Sequence, residues 1–158
     1  MTDVQAVVET LAACLCSQLA DGPSLCFCGV LPGQAVPMDV GFGQNCGGMA
    51  YVRVASIYPA TQVGVANITP ANCAWATGFD LELGVFRPYP LQENGTAPPD
   101  DVQLEVTRQL MADATAMQRT LACCDWLDKN DFVVGQWAPA GPAGGVLGGV
   151  IPVSAILV

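Results

Sequence analysis

Eight cysteines carry most of the chemistry this chain can offer, and their spacing sorts them before any fold is known. Cys14 and Cys16 fall in a helical pattern, where a step of two residues turns about 200° round the axis, so the two can neither grip one ion nor bond to each other. Both read as core filler. Cys26 and Cys28 lie two apart in a strand pattern and share a face, which lets them chelate or pair with other cysteines, but a C-x-C without a second matching pair is a weak zinc signal. Cys46 and Cys73 each precede a strand at similar offsets and can meet at one end of a sheet, while the adjacent Cys123 and Cys124 face different ways on a helix. Buried free thiols rank first, because cysteine packs as a small hydrophobe. Disulfides among Cys26, Cys28, Cys46 and Cys73 rank second, and a metal site third.

The remaining catalytic templates are poorly populated. The chain has no histidine, which removes the commonest general base, the usual partner of a nucleophilic Ser or Cys, and the commonest zinc ligand. The glycine-rich "GFGQNCGG" lacks the Lys-Ser/Thr ending of a phosphate loop and precedes a strand, so it reads as turn chemistry. Asp80 with Glu82 forms a carboxylate pair on a strand, and Asp100 with Asp101 another. A solvated face and a helix cap are the simpler readings of these pairs. Arg53 and Arg87 stand in apolar strands, as interface anchors or as snorkelling edge residues. No catalytic residue, cofactor or metal is assigned, and the expectation is a protein that is not an enzyme.

These residues must be positioned by a small set of elements. Thr2, Asp3 and Gln5 offer a capping box to a helix whose Val4, Val8, Leu11, Leu15 and Leu19 recur every three or four residues until Asp21, Gly22 and Pro23. "SLCFCGVL" reads as a short strand and "GGMAYVRVASIYP" as a second, stopped by Pro59. In "AWATGFDLELGVFRP" the residues Trp75, Thr77, Phe79, Leu81, Leu83 and Val85 share one face, and Asp80 and Glu82 point the other way. Pro98 and Pro99 deliver the chain to Asp100, a candidate N-cap, and to a helix with Val106, Leu110, Met117, Leu121 and Cys124 as its buried stripe. "DFVVGQWAP" and "GVIPVSAILV" are the last strands, and Pro152 predicts an edge or a bend. The apolar run from Val150 to Val158 is too short to span a bilayer as a helix. The expected architecture is α+β: a mostly antiparallel sheet with two helices packed on one face, one domain over residues 1–158.

Bulk composition narrows the partners. Only 12% of the 158 residues are charged and the net charge is −9, which disfavours phosphate binding and leaves apolar surface for copies or partners. The first residues lack a basic segment and do not read as a secretory signal, so cytosolic synthesis is expected.

The succession "NCGGMAYVRVASIYP", "NCAWATGFDLELGVFRPYP", a Pro-rich lead into a helix ending "LACCDWL", then "VVGQWAPAGPAGG" and an apolar terminal strand resembles the tail terminator proteins of long-tailed phages that infect actinobacteria. The likeness runs roughly from Leu25 onward. It implies a virion subunit, assembled in the host cytoplasm, that forms a six-membered ring on the tail tube, halts tube polymerisation and receives the head connector. A head-to-tail stopper or adaptor shares the same pattern. Arg53, Asp80, Glu82 and Arg87 are the candidate subunit-interface residues, and Asp100, Asp101 and Glu105, or alternatively Asp125, Asp128 and Asp131, the candidate acidic lining of a lumen through which DNA passes unbound. Membrane association is not expected. A cysteine-based metal or redox protein, or a monomeric partner-binding module, are the rival classes.

Overall fold

The computed structural model describes residues 3–34, 46–67 and 76–158. Helix α1 (Val4–Gln18) is followed by β1 (Phe27–Val30), β2 (Met49–Gln62), the short β3 (Val65–Ala66), β4 (Ala76–Pro88), helix α2 (Asp100–Cys123), β5 (Phe132–Val134), β6 (Ala138–Ala143) and β7 (Val146–Leu157). The strands form one sheet in the order β1-β2-β4-β7-β5, with β3 beside β2 and β6 beside β7. Among the described residues every pairing is antiparallel except β1 with β2.

The period-two pattern of β4 decides where the core lies. Phe79, Leu81, Leu83 and Val85 join Ile151, Val153 and Ala155 of β7 in one apolar cluster with Val8, Leu11 and Leu15 of α1 and Met117 and Leu121 of α2. Both helices therefore cover the same face, as an α+β sandwich requires. Each large side chain buried there contributes about 1.5–3 kcal/mol. Asp3 caps α1 by accepting the Ala6 N–H at 2.7 Å.

Several local expectations need correcting. Pro59 does not end β2, which continues to Gln62 with Pro59 opposite Thr77. The Pro59 carbonyl accepts the Asn67 N–H on the outer side of the strand, so the missing amide hydrogen also faces outward and the ladder to β4 loses nothing. Pro152 likewise sits in an interior strand, with its carbonyl accepting the Gly135 N–H where β5 has ended and β6 not yet begun. "DFVVGQWAP" splits into β5 and the start of β6. The expected turn "AGPAGG" is mostly strand, closed by Gly144 and Gly145, both at positive φ as a tight hairpin demands. Asp100 does not cap α2. Pro99 occupies that position without a side-chain bond, and Asp100 and Asp101 fall in the first turn, where the helix dipole favours negative charge.

The cysteines depart furthest from expectation. Cys16 is not core filler but is bonded to Cys28, and Cys26 is bonded to Cys46. Cys26 lies one residue ahead of β1, so the C-x-C pair is divided between two partners instead of forming one ligand set. The parallel pairing of β1 and β2 brings the starts of both strands together, with Phe27 opposite Met49, and this sets Cys26 beside Cys46. Cys73, the other candidate partner of Cys46, lies outside the described residues, as does Trp75.

Candidate functional site

The face of the sheet turned away from the helices carries an organised polar cluster on its three longest strands. Strict alternation would put Tyr51 and Arg53 on one side of β2 and Ser56 and Tyr58 on the other. The register shift between Val54 and Ser56 reverses the parity, so all four face the side of Asp80 and Glu82. Glycines complete the arrangement: Gly84 lies opposite Tyr51 and Gly78 opposite Tyr58. A methyl group at either glycine would overlap the facing ring. Each tyrosine thus lies flat across bare backbone and reaches the neighbouring carboxylate.

Glu82 takes the Tyr51 hydroxyl at 2.6 Å on Oε1, together with Arg53 Nε at 3.0 Å, and Arg53 Nη2 at 2.9 Å on Oε2. Asp80 accepts three hydroxyls: Ser154 at 2.7 Å and Tyr58 at 3.0 Å on Oδ1, and Ser56 at 2.6 Å on Oδ2. Burial pushes both carboxyls up, but their donors outweigh it. Arg53 and Tyr51 hold Glu82 below its ordinary range, and Ser56, Ser154 and Tyr58 hold Asp80 below its own. Burial and the bond to Glu82 push the Tyr51 phenol well above its usual range, and burial and the bond to Asp80 raise Tyr58. Two carboxylates held ionised, each by three donors, are poorly suited to passing protons. They fix the shape and polarity of a surface instead.

Arg87 departs from the other three candidate interface residues. It projects from β4 on the helix side, where Nε and Nη2 meet Asp113 of α2 at 2.6 and 2.7 Å. Its Nη1 donates to the carbonyls of Gly47 at 2.8 Å and Pro23 at 3.3 Å. The guanidinium ties β4 to α2 and to the segments leading into β1 and β2. Asp113 was not singled out from the sequence; its place between Leu110 and Met117 on the buried stripe was the available signal. Beside this pair, the half-buried Val106 and Leu110 line, with Pro88, Pro90 and Leu147, a pocket of about 410 Å³.

The acids Asp100, Asp101 and Glu105 are exposed at the start of α2, and Glu105 meets Arg108 at 3.4 Å. Among the described residues, exposed large apolar side chains stand at the two opposite margins of the sheet and also on α2, at Leu104 and Met111. Val30, Ile57 and Val65 stand on β1, the outer half of β2 and β3; Val133 and Val134 stand on β5, beyond β7. Among the described residues no group of three or more His, Cys, Asp or Glu side chains could hold a metal ion, and no helix is long and apolar enough to cross a membrane. No protein-family model matches the chain, and no curated protein matches it.

Proposed function

We propose that this chain is a structural ring subunit of the tail-terminator kind that its sequence resembles, capping a phage tail tube and presenting a surface to the head connector. The observation that carries the reading is the pair of unlike apolar margins on one sheet. A rotationally closed assembly joins two different patches of the same subunit, whereas a twofold dimer would need only one self-complementary patch. Strand edges that no other described residue pairs with, carrying exposed Val30 on one side and Val133 on the other, are the features that neighbours in a ring would cover.

The rigid polar face of Arg53, Asp80 and Glu82 then serves as a preformed contact for the next component, whose docking would cost little side-chain entropy. The exposed acids Asp100, Asp101 and Glu105 would face passing DNA and repel its phosphates. The test is assembly of tail-tube protein with and without this chain, viewed by electron microscopy. The expected result is tubes of limited length with a ring at one end. Tubes of unchanged length, with no added density at either end, would overturn the proposal.

A further inference from the structure

Pro88, Pro90, Val102, Val106, Leu110 and Leu147 give the pocket between α2 and the end of β4 its apolar walls, and its volume of about 410 Å³ is that of a small-molecule site. The walls are braced by bonds already made within the chain. The Tyr89 N–H donates to the Gly145 carbonyl at 2.7 Å, and the Tyr89 hydroxyl donates to Gln103 Oε1 of α2 at 3.0 Å. Arg87 and Asp113, both buried, line the same space and tie β4 to α2. The cavity is therefore formed before a guest arrives, and binding need not order it.

The polar lining selects by charge. Among the described residues Arg87 is the only cation in the lining, and its three nitrogens already donate to Asp113 and to the carbonyls of Gly47 and Pro23. Asp113 also accepts Gln109 Nε2 at 3.0 Å. Two acceptors remain: the Gln109 amide oxygen, which takes no donor among the described residues, and the Glu105 carboxylate one turn earlier on α2. Arg108 meets Glu105 at 3.4 Å with both side chains more than half exposed, so it holds that carboxylate weakly. An anion entering here would find an occupied guanidinium and an exposed carboxylate, whereas an ammonium would find two acceptors.

We propose that this pocket binds a small organic cation, an aromatic or branched aliphatic body bearing one protonated amine, with the body among the valines, leucines and prolines and the ammonium at Glu105 and Gln109. A protein segment suits the space less well, because helix or strand docking uses an extended groove or a free strand edge. This space is walled by α2, the end of β4, β7 and the residues Pro23 and Gly47. The site does not depend on ring assembly.

The test titrates the full, isotope-labelled chain at neutral pH with phenylbutylamine, phenylbutanol and phenylbutyrate, which share one apolar body and differ in charge, and follows the backbone amides by NMR. The expected result is saturable shifts at Gly47, at residues 102–113 and at Leu147, with the amine bound about threefold more tightly than the alcohol and about tenfold more tightly than the acid. Glu105→Gln, an exposed change, should weaken the amine about threefold and leave the alcohol unchanged. Val106→Trp, or Leu147→Trp if the first does not fold, should fill the pocket and abolish the shifts from all three compounds. Equal affinity for the three compounds, a preference for the acid, or shifts that fail to saturate or that centre elsewhere would overturn the proposal.

Discussion

Strand β4 contributes to two bidentate arginine–carboxylate pairs of nearly the same geometry, one on each face of the sheet. Arg87 and Asp113 are sealed between sheet and helix, with side chains 11% and 6% exposed, and two backbone carbonyls take the remaining reach of the guanidinium. Arg53 and Glu82 lie on the open face, 15% and 23% exposed, among hydroxyl groups. The difference is one of dependence. A buried charge left without its partner has no water to turn to, whereas one on the open face can be resolvated. The helix-side pair therefore belongs to the fold, and the open-face pair is free to serve a surface.

The sharpest way to break this contrast is Asp113→Ala, which strands the Arg87 charge and should cost about 3–5 kcal/mol in urea unfolding. Replacing both residues together, Arg87→Met with Asp113→Leu, should recover most of that loss. A cost under about 1 kcal/mol for the single change would put the pair in the surface class. Gly84→Ala comes next, because the added methyl collides with the Tyr51 ring. It should cost about 1–3 kcal/mol and detach Tyr51 from Glu82, visible as a fall in the phenol's titration toward its ordinary value.

The pH profile sharpens the comparison further. Asp80 and Glu82 have lowered folded pKa values, so their contribution is complete above the ordinary carboxylate range of about 4 and is lost as pH falls through the folded values. Glu82→Gln should flatten that acid limb. Tyr51 is raised, so its contribution is complete below pH 10.0 and declines as pH climbs above it. Tyr51→Phe should flatten the alkaline limb. The smallest effect is expected from Asp100→Asn with Asp101→Asn, exposed residues whose loss should leave unfolding within about 0.5 kcal/mol.

How much of this was legible in the sequence follows from range. The faces of β4 and the stripe of α1 were readable because each needs only its own period, and the Asp80–Glu82 side of β4 was placed correctly. The polar cluster was not readable in full, because a one-residue bulge after Val54 re-aims Ser56 and Tyr58, and no local pattern announces it. Pro59 and Pro152 misled for a related reason. Proline forbids a hydrogen bond in one direction only, and which direction matters depends on the neighbouring strand. The Cys16–Cys28 and Cys26–Cys46 pairs required knowing that β1 and β2 run parallel and that α1 lies against β1. Arg87 looked equivalent to Arg53 because both stand in apolar strands, and only the packing of α2, which brings Asp113 to Arg87, separates them.

The most direct test of the ring reading is native mass spectrometry of the protein over a range of concentrations, alone and with tail-tube protein, alongside Val133→Lys and Val30→Lys. The account predicts a closed species of six 16.4 kDa subunits for the wild-type chain, lost in either lysine variant while the monomer's unfolding midpoint stays put. A wild-type chain that remains monomeric under every one of these conditions, or that forms only a dimer indifferent to both substitutions, would contradict it.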